Sequence, residues 1–182
     1  MQAELSASSV PVPRETTILA LLRRHHLADA FSIALPASAN HDPEVLARFL
    51  FRSQGRWVNA LMRVRDTIMS TFGVKTAKEM ENAPAGDVGG RVGFFRIYAK
   101  RDNEIVLGED DRHLDFRLSV MVRQADAATG RSEVVLSTVV CCHNALGHAY
   151  IAVIRPLHKL IVRSTLNRAA KAGWPREAVE TA

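Results

Sequence analysis

Glu104-Ile-Val-Leu-Gly-Glu-Asp-Asp-Arg-His-Leu-Asp-Phe-Arg-Leu-Ser-Val-Met-Val122 is the stretch on which the fold turns. Its second half alternates strictly. His113, Asp115, Arg117 and Ser119 are polar, while Leu114, Phe116, Leu118 and Val120 are apolar. A period of two belongs to an extended strand with one wet and one dry face. Glu104 to Leu107 reads as the strand before it, with the acidic Gly108 to Asp111 as the turn between them. Upstream, Val92 to Ala99 reads as one strand, and Asp102-Asn103 marks a turn. Downstream, Thr129-Gly130 marks a loop, and Glu133 to Cys142 reads as the last strand. The links are too short for parallel crossovers, so these four strands form successive antiparallel hairpins.

Helical spacing flanks this block. A short helix is expected from about Glu15 to His25, with Ile18, Leu21 and Leu22 on one face, then a strand from Asp29 to Pro36. Asp42 can cap a helix whose first position is Pro43, and Val45, Leu46, Phe49 and Leu50 recur along it. A second helix carries Trp57, Leu61, Val64, Ile68 and Phe72, stopped by Gly73. Val74 to Gly90 reads as a connecting segment. After the last strand, Leu146, Tyr150, Val153, Leu157, Leu160 and Ile161 predict one long helix that kinks at Pro156 and finishes near Gly173. A sheet with one dry face needs a cover, and that helix is the element long enough to supply it.

The totals fit one domain. The chain has 182 residues, 47% hydrophobic and 24% charged, which is ordinary for a globular protein. Residues 1–14 read as a flexible tail, 15–173 as the domain and 174–182 as a second tail. The formal charge is +5, and the excess is uneven. From Asn144 to Arg176 there is no Asp or Glu, but there are Arg155, Lys159, Arg163, Arg168, Lys171 and Arg176. The simpler reading is a solvated helix face ending in a basic last turn that complements the helix dipole; the alternative is an anionic surface or partner. Cys141 and Cys142 are neighbours, too strained to bridge, which points to a reducing, cytoplasmic setting. The N-terminus lacks a signal-peptide pattern and no transmembrane stretch is found. The aromatics sit in core stripes, so nucleic acid is not expected. Peripheral membrane contact is not favoured, and a homodimer is left open.

The element order resembles the helix-grip fold of the START and birch-pollen-allergen superfamily (SRPBCC), an α+β fold in which a curved antiparallel sheet wraps a long C-terminal helix. The run Glu104 to Arg117 resembles the signature of a bacterial family known only as a domain of unknown function. Ser137-Thr-Val-Val140, His143-Asn144, Gly147, Tyr150 and Pro156-Leu-His158 fit the same pattern, as do Trp57, Leu61-Met62 and Arg65-Asp66. The resemblance covers roughly Ala28 to Arg168. In some relatives such a domain follows a nicotinamide-binding Rossmann domain. Here Gly86, Gly89, Gly90 and Gly93 do not make the dinucleotide spacing, and no Rossmann domain is expected.

Several constellations carry candidate chemistry. The row His113, Asp115, Arg117 and Ser119 either faces a cavity, where it could orient a ligand or move protons, or is a solvated outer face. Asp110-Asp111 is more simply a turn than a cation site. No His-x3-His pair with a third ligand occurs, and a site of His113, His143 and His158 would need three elements to converge; no metal or cofactor is expected. Cys141 and His143 share a strand face without a third orienting residue, so core packing is favoured over a thiol nucleophile. His158 is either a satisfied histidine or a polar group projecting into the cavity, and Arg65 and Asp66 are similar cases.

Two functions follow as expectations. The first is a small hydrophobic or lipid-like ligand held between sheet and helix by Phe94, Leu107, Phe116, Leu136, Tyr150 and Leu157. The second is a cyclase, dehydratase or isomerase type of enzyme on the same scaffold, with His113, Asp115, Arg117 and His158 as catalytic candidates.

Overall fold

The computed structural model describes residues 6–52, 90–93, 95–126 and 130–176. The expected helix Trp57 to Phe72, the link that follows it, Arg65, Asp66 and Phe94 lie outside the described residues. The fold is α+β: an open antiparallel sheet of seven strands and a C-terminal helix. The strands are β1 (Ser8–Val10), β2 (Leu27–Leu35), β3 (Arg91–Val92), β4 (Phe95–Arg101), β5 (Glu104–Asp110), β6 (Leu114–Asp126) and β7 (Arg131–Cys142), in the order β1-β2-β7-β6-β5-β4-β3. Among the described residues the helices are α1 (Ile18–Leu21), α2 (Pro43–Arg52) and α3 (Ala145–Ala172). The chain lays down one edge, passes to the far edge at β3, and returns through hairpins until β7 pairs with β2.

Alternation sorts the sheet residues into two faces. Phe31, Ile33 and Leu35 of β2, Ile105 and Leu107 of β5, Leu118, Val120 and Val122 of β6 and Val134 and Leu136 of β7 are buried in one cluster. Leu46 and Leu50 of α2 and Val162, Leu166 and Ala169 of α3 complete it. Leu27, Leu114, Val140 and Cys142 pack separately under Ile151 in the first half of α3. The opposite face is also covered. Ile18 and Leu22 pack on Val139, with Val12, Leu19 and Cys141 around them.

Local signals explain the helix ends. Asp42 Oδ1 accepts from the amides of Glu44 and Val45 at 2.7 and 3.3 Å, and Pro43 opens α2 as expected. Asn144 caps α3 by accepting from Gly147 N at 3.1 Å. A Cβ at Gly147 would stand 2.2 Å from the His113 carbonyl oxygen, so only glycine lets the first turn of α3 approach the β5–β6 turn. The helix runs through Pro156 without a break. Proline withdraws one hydrogen bond from the carbonyl of Ala152, and both residues are exposed, where water can serve that carbonyl.

Five expectations need correction. The strand expected over Val92 to Ala99 is two strands, because Gly93 takes a left-handed φ of 61° and turns the chain between β3 and β4. Gly108 and Glu109, expected in a turn, are β5 residues paired with Arg117 and Phe116. The helix expected from Glu15 to His25 is only the four residues of α1, and Leu21 is exposed. Ser8–Val10, expected in a flexible tail, pairs with Ala30–Ser32 of β2. At the other end Trp174, also expected in a tail, is buried beside Phe49, and Asn40 N donates to Pro175 O at 2.7 Å. No helix among the described residues is long and apolar enough to cross a membrane.

Candidate functional site

A polar group sits inside the face covered by α3. Asp29 of β2 and Thr138 of β7 are directly opposed across the ladder. Both have the parity of the helix-facing residues. His158 reaches down from α3, its Nε2 3.1 Å from Asp29 Oδ1. Asp29 Oδ2 and Thr138 Oγ1 are buried without a hydrogen-bond partner. Unmet polar atoms inside a protein are uncommon and cost free energy. The trio lies on the same face as two separate apolar clusters, one with Leu118 and Val162 and the other with Val140 and Ile151.

The expected ligand-lining residues other than Phe94, which lies outside the described residues, fall on the same side. Leu107 and Leu136 belong to the larger cluster, Phe116 and Tyr150 to the smaller, and Leu157 is half-buried on α3. Of the four catalytic candidates only His158 joins them. Asp115 and Arg117 point to the opposite face, and each has a local partner. Asp115 Oδ2 meets His143 Nε2 at 3.0 Å. Arg117 Nη1 meets Asp110 Oδ1 at 2.7 Å and donates to Phe116 O at 2.9 Å, with its guanidinium 3.5 Å from the centre of the Tyr98 ring. His113 is buried in the turn before β6, its Nδ1 accepting from Asn144 Nδ2 at 2.9 Å. His158 is almost four turns along α3 from that cap, roughly 20 Å away, so His113, His143 and His158 do not meet.

The signature run therefore builds a structural knot. Gly108 stands opposite Arg117, and a Cβ there would come within 2.3 Å of Phe116 O and 2.9 Å of Arg117 Cδ. Tyr98 comes from the bulge between Ile97 and Ala99 and donates to Asp110 Oδ2 at 2.9 Å. Burial pushes the Asp110 carboxyl up, but hydrogen bonds from Arg117 and Tyr98 and the Arg117 charge outweigh it and hold the group below its ordinary range. Burial carries the Tyr98 phenol to about 12 against the pull of Arg117. The Asp110-Asp111 pair is thus a strand end and turn: Asp111 Oδ1 accepts from His113 N at 3.1 Å.

Sequence reasoning missed two clusters. Glu104 is buried on the face away from α3, where it accepts from Thr16 Oγ1, from Ser119 Oγ at 2.6 Å, and from Thr17 N and Oγ1 at 2.9 and 2.6 Å. Desolvation raises its pKa, and these hydrogen bonds together lower it further than burial lifts it. The only signal was a charged residue opening an apolar strand. The second cluster is His26, Cys142 and His148, whose ligating atoms lie within 4.8 Å of one another. They are separated in sequence by up to 122 positions, and no spacing pattern announces them. Burial, and behind it the neighbouring Cys141, pushes the Cys142 thiol up, the reverse of what a nucleophilic cysteine needs. The basic residues of α3 are on its solvent side, where Arg163, Arg168 and Lys171 border a groove of about 510 Å³.

A family described as "Protein of unknown function (DUF2867)" matches residues 21–165. The chain belongs to this family. The DUF2867 match takes in β2 through β7 and most of α3, including Asp29, Thr138 and His158. It begins after Thr16 and Thr17, so the clamp on Glu104 draws on residues outside it. No curated protein and no solved structure matches the chain.

Proposed function

We propose that this DUF2867 domain binds a small molecule with an apolar body and one hydroxyl-like group, between the sheet and α3. The observation that carries the reading is the pair of buried, unpartnered oxygens on the helix-facing side, the carboxylate acceptor Asp29 Oδ2 and the hydroxyl Thr138 Oγ1. A hydroxyl placed there donates to the carboxylate and accepts from the threonine, while Leu118, Val140 and Ile151 offer apolar surface nearby. An open antiparallel sheet under a long C-terminal helix agrees with a START-like, helix-grip arrangement, in which ligands lie in that interval. Native mass spectrometry of gently purified protein tests it. A bound small molecule is expected in the wild type and lost in Thr138→Val. A purely apo spectrum, with no saturable thermal shift on adding decanol, overturns it.

A second reading, an acid–base enzyme, is favoured by one contact. His158 paired with the half-satisfied Asp29 is a histidine oriented by a carboxylate. In this reading His158 exchanges the proton, Asp115 and Arg117 support the scaffold from the other face, and His113 holds Asn144, the cap of α3. Turnover of a bound ligand that vanishes in His158→Gln, with binding intact, separates it from simple binding.

A further inference from the structure

His26, Cys142 and His148 come from three elements that meet at one end of the sheet. His26 directly precedes β2, Cys142 is the last residue of β7, and His148 is in the first turn of α3. The two imidazoles are exposed and the thiol is buried. The rings meet edge to face with centroids 4.5 Å apart. The thiol therefore forms the floor of a cup whose histidines line the solvent side.

The carriers of these side chains are fastened. His26 N donates to Val140 O at 2.7 Å, and Cys142 N donates to His26 Nδ1 at 2.9 Å. His148 N donates to Asn144 O at 3.2 Å, and Asn144 is itself held by His113 and Gly147. The three donors, within 4.8 Å of one another on fixed backbone, can draw together on an ion once His26 frees its Nδ1.

We propose that His26, Cys142 and His148 bind a borderline-soft divalent cation of the Zn²⁺ class, with a fourth position left to water. One thiolate and two imidazoles suit zinc, whereas calcium and magnesium require oxygen ligands, and none is in this set. On binding, the Cys142 thiol gives its proton to solvent as the metal–sulfur bond forms, with no change of oxidation state. His26 must also release the Cys142 amide. Its Nδ1 accepts that N–H in the free protein, so the ring proton sits on Nε2, and a lone pair reaches the metal only once that hydrogen bond opens. The site is distinct from the Asp29–Thr138–His158 group and stands whether or not that group binds a ligand.

Cobalt(II) titration of the reduced protein tests this. The expected result is a saturable one-to-one rise of thiolate-to-cobalt charge-transfer absorption, reversed by Zn²⁺. Cys142→Ser should abolish it. Cys141→Ser, whose side chain points to the opposite face of β7, should leave it intact. His148→Ala, at an exposed position that does not threaten the fold, should weaken binding at least tenfold, and His25→Ala should not. Absence of the band in the folded wild type overturns the proposal. So does a band that survives Cys142→Ser, or one indifferent to both His148→Ala and His26→Ala, which would be adventitious thiolate binding.

Discussion

Glu104 and Thr138 show opposite ways of placing a polar atom inside a sheet. Glu104 is a buried carboxylate surrounded by hydroxyls and an amide. Its folded-state pKa is lowered. Its contribution is therefore present above the unfolded-state pKa and is lost as pH falls through the folded-state value. Urea unfolding should show wild-type stability falling below roughly pH 5, while Glu104→Gln is about 2 kcal/mol less stable at neutral pH and less pH-dependent in the acid limb. Thr138 is the reverse case, a buried hydroxyl with no partner. Thr138→Val should raise the stability of the ligand-free protein by about 1 kcal/mol, seen as a melting temperature about 2–4 °C higher. A lower melting temperature would mean that the hydroxyl is already satisfied. Neither role was legible in the sequence. A glutamate and a threonine in apolar strands look alike until their faces and neighbours are known.

Among the elements, α3 was the most legible and its outer surface the least informative. Apolar spacing and the Gly173 stop fixed its type and end, and Asn144 proved to be its cap. What spacing could not rank is which apolar residues bear load. Leu166 is fully buried against the sheet, while Val153 is 72% exposed. Leu166→Ala should cost about 2–5 kcal/mol through the cavity it leaves, and Val153→Ala should stay within roughly 0.5 kcal/mol. Chemical denaturation of the two variants checks the contrast. The strands read well where alternation was strict, as in β6 and β7, and poorly at Gly93 and Gly108. At Gly93 the backbone turns on a left-handed φ, and at Gly108 the absent side chain makes room for Arg117.

For the whole molecule, the N-terminal segment matters more than its composition implied. β1 covers the edge of β2, and Ala7 N donates to Asn167 Oδ1 of α3 at 2.6 Å. Deleting residues 1–10 leaves Thr16 and Thr17 on Glu104 but bares the β2 edge. The truncated protein should fold and show concentration-dependent self-association in sedimentation velocity, since an unpaired edge recruits strands. The sequence by itself determined the class: hairpin strands closed by a long helix, with a polar row and an apolar row on β6. Those follow from periods of two and 3.6, which are local properties of the chain. Only the tertiary structure decided which row faces α3, that Asp29 and Thr138 meet beneath His158, and that His26 finds Cys142 and His148. Such meetings depend on strand order and register, and no local pattern encodes which distant residue will stand opposite.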